Sequence, residues 1–257
     1  MEKLKVGICG WGNVATGLFK ALEKNADIIA LNAGTKFTVS VIGARRDNPQ
    51  CDPGNTPIER DIFDVTKHDI DVLVELIGGV EVARELIIEA IKNKKHVVTA
   101  NKAVIYHHGD EIFKLAKENN VRVLFESAVC AGTPIIKLLK EELAANRVSK
   151  ISGMLNGTSN FILSNMEEGA EFHSTLELAQ KEGYAEPDPT FDIEGMDAAH
   201  KIGILSALAF GTSLPPKDFY VEGITKIEKS DFTYAMDMGY TVKHLAVAKV
   251  DENLLEL

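Results

Sequence analysis

Cysteine is scarce in this sequence, and cations are outnumbered. The 257 residues hold 3 cysteines, Cys9, Cys51 and Cys130, far apart and odd in number. That pattern argues against a disulfide framework, and the absence of any CxxC or Cys/His spacing argues against a zinc site. Lys+Arg number 28 against 38 Asp+Glu, a net charge of −10. Such a surface repels nucleic acid and anionic lipid, which need clustered cations, but not a small anion held in a local basic pocket. No apolar run reaches the roughly 18 residues that would span a bilayer. The start, MEKLKVGICG, is too short for a signal core and carries no AxA cleavage site. These absences point to a cytoplasmic protein in a reducing compartment. Internal repeats and low-complexity linkers are missing as well. Hydrophobic residues at 45% and charged residues at 26% match globular proteins and exclude a disordered tail, a collagen or a coiled coil. The length fits one large domain or two modest ones.

What is there alternates. Leu4–Ile8, Phe37–Ile42, Val72–Ile77, His96–Thr99 and Val121–Phe125 read as buried strands, several ending in glycine. Asn13–Leu22 is expected to be a helix with Val14, Leu18 and Leu22 on its buried stripe, followed along the chain by helices over Val82–Ile91, Glu111–Glu118 and Thr133–Leu143. Strands apolar on both faces and alternating with helices predict a doubly wound α/β domain over 1–146. The pattern then changes. Strands over Lys150–Leu155 and Thr241–Val250, with helices over Leu176–Lys181 and Met196–Phe210, predict a second, α+β domain over 147–257. His107 and His108 are expected on a surface loop, and His200 in a packing role.

The first strand runs into Gly10-Trp11-Gly12-Asn13-Val14-Ala15, a G-x-G-x-x-A turn between strand and helix. Gly10 makes the tight turn, Gly12 lets the backbone reach a pyrophosphate at the helix N-terminus, and Ala15 permits close helix–strand packing. In this position the motif predicts a Rossmann-type dinucleotide site. The second strand ends at Gly43-Ala44-Arg45-Arg46-Asp47. Two arginines suit a ribose 2′-phosphate and favour NADP. Asp47 could instead bind the 2′-hydroxyl of NAD.

Residues 179–201 read AQKEGYAEPDPTFDIEGMDAAHK. Carboxylates crowd a loop stiffened by Pro187 and Pro189, and Asp197 and Lys201 share one helix face at i, i+4. Chemistry alone leaves two readings open: a catalytic cluster, or a solvated salt bridge and helix cap. This segment closely resembles the signature of homoserine dehydrogenases. Ala179, Gly183, Tyr184, Ala185, Asp188, Pro189, Asp192, Ile193, Gly195, Asp197 and Lys201 meet every position of that pattern. Thr99-Ala100-Asn101-Lys102 and Leu155-Asn156-Gly157-Thr158-Ser159-Asn160 are similar to two further segments of the family.

The resemblance implies reversible hydride transfer between NAD(P)(H) and L-homoserine/L-aspartate 4-semialdehyde, a step in threonine, methionine and isoleucine biosynthesis. It implies that Lys201 is the acid/base and Lys102 a second catalytic lysine near nicotinamide and substrate. It assigns Glu186 to the substrate ammonium, with Asp197 and Asp192 as substrate-binding or supporting carboxylates. Gly183 and Ser127 would join the cofactor site. A lysine ammonium can stabilise charge on the reacting oxygen and donate its proton, and a second lysine would depress its pKa. The resemblance also implies a structural sodium ion at Glu126 with the carbonyls of Val129, Ala131 and Thr133; Cys130 and Ala131 depart from the family's glycines there. A homodimer through the second domain's sheet is implied. Rival readings are another two-domain NAD(P) oxidoreductase acting on amino acids or sugars, and a non-catalytic dinucleotide sensor. The resemblance runs from Lys5 to about Val250, whereas the family's catalytic unit continues several dozen residues further, so an incomplete unit without a regulatory ACT domain is expected.

Overall fold

The structure, a computed structural model, describes residues 3–215, 219–251 and 254–256. The chain divides into two compact units, Met1–Ile135 and Ile136–Leu257.

The first unit is built on a six-stranded parallel sheet in the order β3-β2-β1-β4-β5-β6. Its strands are β1 (Lys3–Cys9), β2 (Lys36–Gly43), β3 (Ile58–Glu59), β4 (Val72–Glu75), β5 (His96–Thr99) and β6 (Val123–Leu124). The helices are α1 (Asn13–Lys24), α2 (Ala26–Ala33), α3 (Glu81–Lys92) and α4 (Lys102–Asn119). The chain builds outward from β1 to β3, then returns to the other side of β1 with β4. That reversal opens a crevice at the carboxyl ends of β1 and β4, where doubly wound sheets bind ligands. Val6, Ile8, Ile42 and Val74 of the central strands pack with Ala15 and Phe19 of α1.

Several elements differ from the sequence expectation. The buried stripe of α1 is Ala15 and Phe19, flanked by half-buried Leu18 and Leu22, while Val14 is 62% exposed. The helix is thus rotated relative to the leucine-based stripe, because the small Ala15 lies against the strand and Phe19 meets Trp11 edge-on. Helix α4 begins at Lys102, well before Glu111, so His107 and His108 stand on a helix rather than a loop. Asn101 makes that start possible: its side chain accepts the Val104 N–H at 3.2 Å, and Val104, Ile105, Tyr106 and Ile112 then bury one face.

The second unit holds α5 (Ile135–Lys137), which continues as a π-helical turn over Leu138–Glu142, and an antiparallel sheet in the order β7-β8-β9. Its strands are β7 (Lys150–Gly153), β8 (Ala246–Asp251) and β9 (Leu254–Glu256). The helices are α6 (Gly157–Glu167), α7 (Phe172–Lys181), α8 (Thr190–Ile193), α9 (Met196–Phe210) and α10 (Lys229–Asp237). Ala198 and Ile202 of α9 pack on Ala246 and Ala248 of β8. The strand expected from Thr241 starts only at Ala246. Before it, Asn160 of α6 holds the backbone of His244 through both its amide groups, at 2.9 and 3.0 Å, so this stretch pairs with a side chain instead of β7. Among the described residues no helix is long and apolar enough to cross a membrane.

Candidate functional site

In the first unit, β1 ends at Cys9 and the chain turns through Gly10 at φ +98°. A Cβ at this position would lie 2.4 Å from the Leu76 carbonyl oxygen, so only glycine fits. Gly12 is different. A Cβ there would meet nothing within 4 Å, so protein packing does not require the glycine. It caps α1, which has no side-chain cap and no acidic residue in its first turn. The helix therefore offers uncapped N–H donors and its positive dipole end to open space, the arrangement that receives a phosphate.

That space is a cleft of about 980 Å³ lined by Gly10, Gly12, Asn13, Arg45, Arg46 and the Gly78–Gly79 turn, among others. Trp11 also borders it but packs mainly inward, 5.2 Å from Phe19. Arg45 and Arg46 are exposed. Asp47, the rival ligand for an unphosphorylated ribose, has Oδ1 engaged by Arg60 Nη2 at 2.6 Å. Val14, Ala15, Lys102 and Ser127 do not line this cleft. Ala15 is buried in the core, as its packing role requires. Lys102 is the first residue of α4, just past the carboxyl end of β5. Ser127 is exposed on a 3₁₀ turn (Glu126–Ala128) after β6.

Beside the cleft lies a buried network that the motifs do not announce. Glu75, fully buried at the end of β4, accepts the Ile77 N–H at 2.9 Å and the Thr99 hydroxyl at 2.5 Å. Thr99 accepts the Asn101 N–H at 2.9 Å, and the Asn101 side chain donates to the Gly79 carbonyl at 2.7 Å. One carboxylate thus ties the glycine turn of the cleft to the start of α4, where Lys102 stands. The signal in the sequence is the acidic residue closing the apolar run Val72-Leu73-Val74. Burial, with the Glu75 charge adding to it, pushes the Cys9 thiol up to about 12.

In the second unit, α9 carries Asp197 and Lys201 one turn apart, with Nζ to Oδ2 at 2.6 Å. Side-chain exposures of 9% and 20% exclude the solvated surface pair. Lys201 Nζ also donates to the Leu155 carbonyl at 2.7 Å. Two of its three protons are thereby used, and the third has no protein acceptor among the described residues. Asn156 donates through Nδ2 to Asp192 Oδ1 at 2.7 Å and to Asp197 Oδ2 at 2.9 Å. The structure therefore brings Asp192, Asp197 and Lys201 into one cluster. Glu186 is exposed and outside it, on a loop whose backbone carbonyls at 186 and 187 accept from Gln180 Nε2. Gly183, at φ +80°, ends α7 in a left-handed turn. Asp188 accepts the Thr190 N–H, and Thr190 holds its carboxyl below the usual carboxylate range. His200 packs edge-on against Phe191, 5.1 Å between ring centres.

The loop expected to hold a cation bends through Cys130 at φ +52° and Gly132 at φ +89°. The Thr133 carbonyl already accepts the Ile135 N–H at 2.8 Å. No group of three or more His, Cys, Asp or Glu able to hold a metal occurs among the described residues, so an ion here would rest on Glu126 and carbonyls.

A parallel sheet in this strand order, with G-x-G-x-x-A and a basic strand tip at its switch point, defines a dinucleotide-binding protein. The second unit adds a buried carboxylate–lysine cluster. The chain belongs to the homoserine dehydrogenase family: residues 10–126 match its NAD binding domain, and residues 134–256 match the model described as homoserine dehydrogenase. The homoserine dehydrogenase of Pseudomonas aeruginosa is 54% identical over 259 residues, covering 100% of this chain and 60% of that protein. The crystal structure of a homoserine dehydrogenase from Thiobacillus denitrificans superposes with a TM-score of 0.95 at 47% identity, covering 100% of this chain and 60% of that one. A hyperthermophilic archaeal homoserine dehydrogenase in complex with NADPH superposes at 0.79 with 29% identity, covering 99% of this chain and 80% of its own. The chain spans about 60% of the length of the Pseudomonas relative.

Proposed function

We propose that this chain carries the catalytic residues of a homoserine dehydrogenase, reducing L-aspartate 4-semialdehyde to L-homoserine reversibly. The observation that carries the proposal is the Lys201 ammonium: half-enclosed, fixed by two acceptors and with no third acceptor among the described residues for its remaining proton. An ammonium so placed stabilises the alkoxide that forms on the aldehyde oxygen and donates a proton to it. Asp197 pairs with that lysine at 2.6 Å and orients it. The Glu186 side chain, exposed and without a hydrogen-bond partner among the described residues, is available to the substrate ammonium. Lys102 is the second lysine of the proposal.

NAD(P)H, when bound, supplies the hydride. The uncapped N-terminus of α1 and the open side of Gly12 would hold its pyrophosphate. NADP is the favoured form, because Arg45 and Arg46 are exposed at the strand tip while Asp47 is engaged by Arg60. A sodium ion at Glu126 and the carbonyls of Val129, Ala131 and Thr133 belongs to the same proposal.

The test is oxidation of NADPH by aspartate semialdehyde, compared with other carbonyl compounds, for wild type and Lys201→Ala. The variant should bind NADPH as wild type does and lose turnover by orders of magnitude. Undiminished turnover in Lys201→Ala would remove the lysine from its role. NADPH binding by wild type without any turnover would favour a dinucleotide sensor.

A further inference from the structure

We propose that Asn156 is a positioning residue that holds the Asp192–Asp197–Lys201 cluster in its working arrangement. The inference rests on the proposed reaction for its consequence, but not for its geometry. Asn156 is 3% exposed and sits on the turn between β7 and α6. Its Nδ2 splits its two hydrogens between carboxylates from two helices, Asp192 of α8 at 2.7 Å and Asp197 of α9 at 2.9 Å. Its Oδ1 accepts the Ser159 N–H at 2.7 Å, which fixes the amide's orientation, since the opposite orientation would set donor against donor. Its own carbonyl accepts from Asn160 Nδ2 at 2.9 Å, which holds the backbone from the other side.

The physical task is clear from the charges. Two carboxylates that share one amide lie close together, and like charges in a half-buried site repel one another. Lys201 pairs with Asp197 Oδ2 and with the Leu155 carbonyl, the residue before Asn156. One turn thus supplies the acceptor that seats Lys201 and the donor that holds both carboxylates in place. Without the amide, Asp192 has no donor to its side chain among the described residues, and Asp197 keeps the lysine but loses the Asn156 donor.

A helix cap alone would also explain an asparagine here, so the test separates the two. Asn156→Ser retains a good cap for α6 but cannot reach the carboxylates. Asn156→Asp retains the cap and adds a third negative charge. The first readout is carboxyl-carbon NMR of Asp192 and Asp197 in the full chain at neutral pH. It does not depend on activity. Lys201 is the same in every variant, so differences isolate the amide. Losing the amide donor that both carboxylates share should move both carboxyl resonances in Asn156→Ser and in Asn156→Asp. Resonances unchanged in both variants would overturn the proposal, whether or not the chain turns over. The second readout is kinetic. With NADPH affinity unchanged, kcat should fall about tenfold to a hundredfold, as for a small misplacement of catalytic groups. Shifted resonances with wild-type kcat would overturn the catalytic half. An inactive wild type would instead count against the proposed reaction and leave the NMR readout to decide the geometry.

Discussion

Replacing Thr99 by valine tests the buried network beside the cleft. The two side chains are nearly the same shape, so packing changes little and the cost lies in hydrogen bonds. Both Thr99 and Glu75 are fully buried. The hydroxyl donates to Glu75 Oε2 at 2.5 Å and accepts the Asn101 N–H at 2.9 Å. A bond to a charged acceptor contributes about 1.5–3 kcal/mol and a neutral one about 0.5–1.5. Valine forfeits both and leaves a buried carboxylate oxygen and the half-buried Asn101 N–H without these partners, a cost of about 2–4 kcal/mol. Serine keeps the hydroxyl and loses one methyl, about 1 kcal/mol. At about 3 °C per kcal/mol, Thr99→Val should lower the melting temperature by about 6–12 °C and Thr99→Ser by about 3 °C. The sequence contains 1 tryptophan, Trp11, buried in the same unit, so its fluorescence reports this unit's unfolding. The reasoning is refuted if the valine variant melts at or above the serine variant.

Four further outcomes follow from the same geometry. Gly10→Ala should destabilise the first unit by at least about 2 kcal/mol because of its positive φ and the Leu76 carbonyl. Gly12→Ala should melt within about 0.5 kcal/mol of wild type, because nothing faces its Cβ, yet weaken NADPH binding about tenfold or more in a fluorescence titration. Cys9 keeps its proton in the folded state up to about 12, whereas the unfolded thiol ionises from 9.0. Its contribution to stability is therefore complete below pH 9.0 and falls as pH rises toward about 12, so Cys9→Ala should show a shallower alkaline loss of stability than wild type. Arg45→Ser combined with Arg46→Ser should raise the dissociation constant for NADPH about tenfold or more and leave that for NADH near its wild-type value, measured by titration of each nucleotide; equal losses for both would show that the arginines do not read the 2′-phosphate.

Much of the first unit was legible because its strands are continuous apolar runs and its glycine turn has a spacing that physics explains. The parts that were not legible failed for particular reasons. The segment from Lys102 to Asp110 holds β-branched residues, Tyr106, two histidines and a glycine, a poor helix by local propensity. It folds as the front of α4 because Asn101 caps it and Val104, Ile105 and Tyr106 find a core. Val14 looked like part of a stripe with Leu18 and Leu22. The true contact runs through Ala15, whose smallness lets the helix lie against the strand, and smallness leaves no mark in a hydrophobicity pattern.

The carboxylate cluster shows the same limit more sharply. Spacing alone placed Asp197 and Lys201 on one face, yet spacing could not tell a solvated pair from an enclosed one. The difference comes from Leu155 and Asn156, some forty residues earlier, which supply a carbonyl to the lysine and an amide to two carboxylates. In the first unit, Glu75 joins its own turn to Thr99 across neighbouring strands in a comparable way. Both arrangements place a buried acid where a donor from distant sequence satisfies it, because an unpaired buried carboxylate would cost more than its fold can bear. Sequence reveals the acid, since charge in an apolar run or a proline-stiffened loop is conspicuous. The donor is an ordinary asparagine or threonine in a turn, visible only once the chain has folded. It follows that the residues most easily missed in this protein are neutral ones, and that substitution of Asn156 or Thr99 should cost more folding stability than substitution of the exposed carboxylates Glu186 and Asp188.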